Sequence, residues 1–273
     1  MGRLDRSWKL MKTSFDVLRK DKEILLFPVF SFIACVVLIV SFIGGFIFLG
    51  LSQLSTQPVI PVVLMFVLYI LLFFVVIFFN TAVVACAHIR LNGGDPRVAD
   101  GLRAARENIG RIFLWAVISA TIGVILQAIR ERSGWVGRII VGLVGIAWTY
   151  VTFFIIPVLI FEKRSMGDSI RRSATLFRQT WGETLVGSLG FGGIFFLLFL
   201  LGVFPLVLGM LFGNTILLLI CVATALLYWA VLGAVASAIN GIYVAALYQY
   251  ATTKKLPDEF DASMLPPTAP GFM

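Results

Sequence analysis

The sequence predicts an all-α protein: a polytopic membrane helical bundle of six transmembrane helices, with three amphipathic helices at the cytoplasmic interface. The first observation is composition. Of the 273 residues, 60% are hydrophobic and 13% are charged, which is about half the charged fraction of an ordinary soluble domain. The second is a set of long segments without charged residues, at 24–87, 112–129, 139–161 and 184–253. The third is a basic helical segment that occurs three times along the chain.

The uncharged segments define six spans. A helix needs about 20 apolar residues to cross a bilayer, so 24–87 and 184–253 must each turn back and cross twice. Polar residues and prolines at 52–61 mark the first turn, and residues 213–215 mark the second. We expect transmembrane helices at 24–51, 62–87, 112–129, 139–161, 184–212 and 216–250.

Three of these spans are predicted to depart from straight transmembrane helices. The sixth is longer than a bilayer requires, so it must tilt, break or continue into the cytoplasm. Pro157 and Pro205 lie inside the fourth and fifth spans. A proline within a helix removes a backbone hydrogen bond, and we therefore expect both spans to be kinked.

The distribution of basic residues predicts the orientation. Nineteen Lys and Arg residues lie on one side of the predicted spans, and the other side holds Arg130, Arg132 and Arg138. By the positive-inside rule, both termini are cytoplasmic and the protein lies in the cell membrane, inner or plasma. The net charge of +8 then reflects topology and affinity for anionic lipid headgroups. It does not indicate nucleic-acid binding, because no soluble basic domain carries it.

The repeated segment has apolar or small residues at i, i+4, i+7 and i+11, which is one face of a helix. Its copies are Leu4, Trp8, Met11 and Phe15; Val98, Leu102, Ala105 and Ile109; and Met166, Ile170, Ser173 and Phe177. Each copy precedes a pair of spans. We therefore expect one membrane domain, 1–255, made of three tandem helix-plus-hairpin units at about 1–90, 91–163 and 164–255. Residues 256–273 are rich in proline and predict a flexible cytoplasmic tail.

Each repeated helix carries its own boundary signals. Asp100 and Asp168 lie near the helix starts, where a carboxylate is favourable. Gly110 and Gly182 are expected to end the helices. Basic and aromatic side chains of these helices are candidates for contacts with lipid headgroups or a partner protein: Trp8, Lys9, Lys12, Arg103, Arg106, Arg171, Arg172 and Trp181. Both interpretations stay open, a membrane-surface helix and a docking collar.

Small and polar residues within the spans give two further sets of candidates. Small residues let helix backbones approach closely in lipid, and five positions have that spacing, within the chain or at a subunit interface: Gly209, Gly213, Gly233, Ser237 and Gly241. Asn80, Asn240 and Gln127 are candidates to line a small polar cavity. Hydrogen bonding between helices is the alternative role for these three residues.

The chain shows no sequence pattern for a catalytic site, a cofactor or a metal. HExxH, Walker A and GxSxG motifs and Cys/His clusters are missing from the sequence, and no ionisable residue is predicted within a span. The three cysteines are read as small apolar residues in spans. A membrane enzyme would require His88, Asp100 and Asp168 to converge at the cytoplasmic surface.

Several segments resemble a known group. Arg6-Ser-Trp-Lys-Leu-Met-Lys12 and Asp21-Lys-Glu-Ile-Leu-Leu-Phe-Pro28 resemble the start of a family of uncharacterised prokaryotic six-span membrane proteins. Ser169-Ile-Arg-Arg-Ser173 and Trp181-Gly-Glu183 are similar to later parts of it. More distantly, the chain is similar to the membrane domain of glycerophosphodiester phosphodiesterases. The resemblance implies the topology and no catalytic residue, since no soluble phosphodiesterase domain lies within these residues.

The function expected from these observations is structural or partner-binding. The protein would be a non-enzymatic integral membrane protein, in a homo-oligomer or beside another membrane protein. The basis is the basic cytoplasmic surface together with the lack of intramembrane charge. The alternative is a conduit for lipid, an apolar solute or ions. Membrane lipids, including anionic headgroups, are the expected ligands in either case.

Overall fold

A computed structural model describes residues 3–48 and 59–254, with side chains except at 3–8, 10, 48 and 181–190. The predicted tail, 256–273, and most of the predicted turn at 52–61 lie outside the described residues. The described residues form helices and turns without a strand. The helices are α1 Arg3–Lys20, α2 Leu26–Phe48, α3 Val59–Leu91, α4 Val98–Glu107, α5 Ile109–Arg132, α6 Trp135–Val151, α7 Ile155–Pro157, α8 Met166–Gln179, α9 Trp181–Leu201, α10 Val203–Leu211 and α11 Thr215–Thr253.

The prediction of an all-α polytopic bundle is confirmed. Within the described residues, five helices are long and apolar enough to cross a membrane, and a bent pair makes a sixth. The last of them, α11, has 39 residues without a break. At 1.5 Å per residue it extends about 58 Å, well beyond the roughly 30 Å of a hydrocarbon core. The sixth span was expected to tilt, to break or to continue into the cytoplasm. The unbroken helix excludes a break.

The predicted kink before Pro157 is present, and before Pro205 the helix is interrupted without a bend of more than 40°. Each interruption lies about four residues before its proline. The helix is interrupted at Thr152–Phe154 before Pro157, with a bend of 41°. The first half of the fifth span ends at Leu201, before Pro205. This offset has a steric cause, because the proline ring collides with the carbonyl group of residue i−4. The fourth span then ends in a π-helical turn, Val158–Glu162.

The break before Pro157 is stabilised from a neighbouring helix. The N–H of Phe154, freed from the helix ladder, donates to Oγ of Ser173 on α8 at 3.0 Å. Both residues are fully buried. An unpaired buried N–H costs about 1–3 kcal/mol, so Ser173 supplies the bond that allows the chain to bend here.

Burial is concentrated at one end of the bundle, which we term the basic end. It comprises α1, α4, α8 and the adjoining ends of the long helices. Buried residues cluster at 81–87 of α3 and 241–248 of α11, and in the π-helical turn. At the opposite end, large apolar side chains are exposed, and Met210 and Leu211 reach 71% and 75% exposure. The protein is thus tightly packed at the basic end and presents apolar surface towards the other.

The three short helices pack in a cyclic order. α4 lies mainly against α3, and α8 against α6, α7 and the π-helical turn. α1 lies against α9 and α11 at the other end of the sequence. α4 and α8 therefore each pack against the helical hairpin that precedes them in sequence. α1, which has no preceding hairpin, packs against the last one, so the order of contacts is cyclic. The three-unit organisation itself stays a prediction, and this packing order is consistent with it.

The second and third short helices share their start and end geometry. Asp100 and Asp168 each occupy the third helical position, and each carboxylate accepts a hydrogen bond from the residue before its helix. The helices end at Asn108 and Thr180, whose side chains donate to the carbonyl four residues earlier. The expectation that Gly110 and Gly182 end the helices is wrong. Both glycines lie inside the following helix, because the preceding polar side chain makes the break.

The buried residues of α4 are small, and those of α8 are small except for Leu176. Gly101 and Ala105 are buried in α4, as are Ser169 and Ser173 in α8. Larger residues of the predicted apolar faces are only half-buried, and Ile109 is 47% exposed. A Cβ on Gly101 would lie 2.6 Å from Phe27 Cζ and 2.9 Å from the Ala82 carbonyl oxygen. The small residues therefore set how closely these helices approach the core.

Candidate functional site at the basic end

A carboxylate, Glu162, is the centre of the first polar cluster at the basic end. Its side chain is 15% exposed and lies where the π-helical turn ends. Arg172 Nε donates to its two oxygens at 3.0 and 3.1 Å, and Arg164 Nε donates at 2.6 Å. The hydroxyl group of Tyr248 donates to Oε1 at 3.3 Å. One carboxylate thus joins the fourth span, α8 and α11.

An aromatic stack extends this cluster towards α3. The His88 ring lies 4.3 Å from the ring of Phe161, which stacks on Tyr248 at 5.7 Å. Asn92 connects the ends of two long helices, since its Nδ2 donates to the His88 carbonyl at 2.7 Å and its Oδ1 accepts from Gln249 Nε2 at 3.1 Å. His88 Nδ1 is buried without a hydrogen-bond partner among the described residues.

A second polar cluster lies at the turn between α1 and α2. Asp21 is 8% exposed and pairs with Arg90 Nε at 3.0 Å, and Arg90 also approaches Asp95 at 3.7 Å. Burial raises the pKa of Asp21 above its ordinary value of 3.8, against the opposing attraction of Arg90. Glu23 accepts from the N–H of Val98, the first residue of α4, at 2.9 Å. These contacts tie the start of the chain to the loop between α3 and α4.

The predicted headgroup or partner contacts divide into two groups. Lys12, Arg103, Arg106 and Arg171 are exposed, as that prediction requires. Arg172 is half-buried against Glu162, so its guanidinium is used inside the protein. Lys9 is half-buried and also makes an interaction within the protein. The side chains of Trp8 and Trp181 lie outside the described residues.

The small residues predicted to pack helices together differ in how closely they contact a neighbouring helix. Gly241 lies against Val83 of α3, and Gly209 lies against Leu218 and Cys221 of α11. Gly213 instead has a φ of +61° and ends α10, so its conformational freedom serves the turn. Gly233 and Ser237 are exposed, and a Cβ on Gly233 would meet nothing within 4 Å. Gly233 therefore makes no close helix contact among the described residues.

The three cavity candidates do not come together in the contacts of the described residues. Asn80 is half-buried, and its Oδ1 would lie 3.6 Å from a Cβ on Gly241. Asn240, next to that glycine, is exposed. Gln127 is exposed towards the far end of α5 and donates to Glu131 at 2.7 Å. The amides of Asn240 and Gln127 are exposed among the described residues, so a cavity lined by all three residues stays a prediction.

The two candidate catalytic carboxylates, Asp100 and Asp168, accept hydrogen bonds at the starts of their own helices. Asp100 accepts from the N–H of Arg97 at 3.0 Å, and Asp168 accepts from Ser165 Oγ at 2.6 Å. His88 contacts neither in the bonds described above. Within the described residues, no group of three His, Cys, Asp or Glu side chains could hold a metal ion. The geometry thus gives Asp100 and Asp168 local structural tasks.

Sequence reasoning missed Glu162, Tyr248 and Asp21, the residues with the most consequential polar contacts. One signal was available for Glu162. It is the first charged residue after the uncharged fourth span, and two basic residues follow it directly. An acidic residue at the end of a span amid basic residues is a candidate for a buried ion pair. No comparable signal marks Tyr248 within its long apolar helix.

One comparison with known proteins identifies a relationship. A family of unknown function (DUF6159) matches residues 59–257, most of the chain. The matched range includes the Ser169–Ser173 and Trp181-Gly-Glu183 segments, whereas the Arg6-Ser-Trp and Asp21-Lys-Glu segments precede it. No curated protein and no solved structure matches. Nothing in these findings links the chain to the glycerophosphodiester phosphodiesterase membrane domain.

Proposed function

This chain belongs to the family of unknown function DUF6159, and we propose that it is a non-enzymatic membrane scaffold that binds an acidic partner protein at its basic end. The single observation that carries the proposal is that largely buried acidic side chains at that end pair within the protein, whereas basic side chains are exposed to a partner. The carboxylates of Asp21 and Glu162 are engaged inside the protein, while basic side chains of α4 and α8 remain exposed.

The exposed basic side chains lie on helices with fixed positions. Arg103 and Arg106 lie on α4, and Arg171 and Arg178 lie on α8. These helices rest on the buried core through their small residues. A preformed surface loses less conformational entropy on binding than a flexible one. Complementary charge then favours the encounter with an acidic segment and selects against basic ones.

The test compares two matched double variants in native-membrane nanodiscs. Arg103→Glu with Arg106→Glu reverses two charges at the basic end, and Arg130→Glu with Arg132→Glu makes the same change at the far end of α5. All four side chains are exposed. We expect native mass spectrometry to detect a wild-type complex that the first variant loses and the second retains. A lone wild-type monomer, or equal loss in both variants, contradicts the proposal.

The composition of the complex identifies the partner. A different, acidic subunit in the complex supports the proposal. A second copy of this chain, whose net charge is +8, identifies a homo-oligomer and contradicts an acidic partner. The conduit is the alternative function. Its support would be flux across liposomes that contain the purified protein, reduced by Asn80→Leu and unchanged by the surface double variants.

A further inference from the structure

A charged groove lies between the α1–α2 turn and the loop before α4. Residues 19–23 form one wall and residues 95–99 form the other, and the groove encloses about 560 Å³. Ligand sites for small molecules commonly occupy about 300–1,000 Å³. The groove therefore has room for a polar headgroup, and it is distinct from the exposed faces of α4 and α8 used above.

The acidic and basic side chains that line this groove differ in how many contacts they make within the protein. Asp21 and Asp95 both lie beside Arg90, and the carboxylate of Glu23 binds the N–H of Val98. Asp21 is buried in its ion pair, whereas Glu23 is exposed and Asp95 is 88% exposed. The side chains of Arg19, Lys22 and Arg97 are also exposed, and no partner is found for them within residues 3–48 and 59–254. The groove is lined by four basic side chains, Arg19, Lys20, Lys22 and Arg97, and three acidic ones, Asp21, Glu23 and Asp95. With Arg90 beside Asp21, basic charge is in excess there.

The groove also lies at the level where lipid headgroups are found. The first span runs from Lys22 to Ile47, 26 residues, and extends about 39 Å. This exceeds the roughly 30 Å of hydrocarbon, so the Lys22 end reaches the headgroup layer. Leu26 and Phe30 follow it along the helix, 41% and 38% exposed. Apolar surface for an acyl chain therefore continues directly from the basic side chains.

From this juxtaposition we propose that the groove binds the headgroup of an anionic phospholipid. Arg19, Lys22 and Arg97 contact the phosphate group, and Leu26 and Phe30 contact an acyl chain. Arginine is well suited to the phosphate, because its planar guanidinium can donate two parallel hydrogen bonds. The bound lipid bridges the first helix–span corner and the α3–α4 loop. This site does not depend on the scaffold function, and its residues differ from those of the partner test.

The experiment measures binding of phosphatidylglycerol and phosphatidylethanolamine to the purified full chain in detergent. The variant is Arg19→Gln with Arg97→Gln, and the control is Arg130→Gln with Arg132→Gln. Each basic residue near a membrane surface contributes about fivefold to the affinity for anionic lipid. We expect the wild type to prefer phosphatidylglycerol, the groove variant to bind it about 25-fold more weakly, and the control variant to match the wild type.

Three outcomes overturn the proposal. They are equal binding of the two lipids by the wild type, unchanged phosphatidylglycerol binding by the groove variant, and an equal loss in the control variant. Glycerol 3-phosphate separates a lipid from a free phosphate ester. If it displaces phosphatidylglycerol at equal concentration, the acyl chain contributes nothing and the lipid assignment is wrong. Unchanged thermal unfolding of the groove variant, whose two arginines are exposed, is the expected check on folding.

Discussion

At the residue scale, two carboxylates have partners from distant parts of the chain. Glu162 binds Arg164 and Arg172 nearby and Tyr248 from a helix 86 positions later. Asp21 binds Arg90 at the end of α3. Glu162 accepts charge-assisted hydrogen bonds, which are stronger than neutral ones, and Asp21 forms an ion pair. Both carboxylates are mostly removed from solvent. These two side chains therefore fix the relative positions of helix ends at the basic end.

Replacement of Glu162 tests the larger of these clusters. Glu162→Gln keeps the side-chain shape but leaves Arg172 half-buried beside a neutral amide. We expect the free energy of unfolding to fall by about 1–3 kcal/mol, because a desolvated guanidinium loses its counter-charge. Thermal unfolding in detergent measures the change. Glu107→Gln, at an exposed position, is the matched control and should leave the midpoint where it is. Equal midpoints for both variants would disprove a stabilising role.

The raised pKa of Asp21 predicts a specific pH dependence. Burial raises this pKa above 3.8, so the folded protein binds the proton more tightly than the unfolded chain does. The associated stability is fully present below the unfolded pKa and is lost as the pH rises through the folded one. Relative to Asp21→Asn, the wild type should therefore gain thermal stability as the pH is lowered from neutral. Parallel pH profiles for the two proteins would rule out a raised pKa.

At the element scale, the short helices depend on close backbone approach. α4 crosses α3 where Gly101 meets Phe27, Cys86 and the Ala82 carbonyl. α8 supplies Ser173 to the broken fourth span. Small residues in both helices thus permit contacts that larger side chains would prevent. The repeated segment was recognisable from its spacing. Of its second and third copies, however, only Ala105 and Ser173 are buried, next to Gly101, Ser169 and Leu176.

Two glycine-to-alanine substitutions distinguish the effect of close packing on stability from the effect of helix propensity. Gly101→Ala places a methyl group 2.9 Å from a backbone oxygen, and overpacking of this kind costs about 1–3 kcal/mol. Gly142→Ala lies inside α6 with nothing within 4 Å, so it should stabilise by up to about 1 kcal/mol. Thermal unfolding of the two variants should shift in opposite directions. A shift of the same sign and size in both would contradict close packing at Gly101.

At the scale of the whole molecule, the packing order of the short helices closes a ring. α1 contacts α9 and α11, although more than 150 residues separate it from them in sequence. The packed core at the basic end joins the hairpins, while their far ends expose apolar side chains. This arrangement suits a membrane, because lipid can cover the exposed apolar side chains of the spans and water can reach the charged basic end.

The orientation predicted from the basic residues has a direct test. In a background with Cys35, Cys86 and Cys221 replaced by alanine, single cysteines are introduced at Glu107 and Gly134, both exposed. An impermeant thiol reagent applied to intact cells should label position 134 and leave 107 unlabelled until the membrane is opened. The reverse pattern would refute cytoplasmic placement of the basic end. Ser14 and Ser173 are unsuitable positions, because both are buried.

The sequence by itself determined the helical class, the spans and the helix interruptions before Pro157 and Pro205. These follow from properties each segment has alone, namely apolar length and the backbone chemistry of proline. Tertiary structure decided what surrounds Glu162 and Asp21, which glycines are tightly packed, and that Arg172 faces inward. Glu162 and Tyr248 are 86 positions apart, and Glu23 and Val98 are 75 apart. Spacing along a helix cannot predict such partners, because they meet only when separate hairpins pack together.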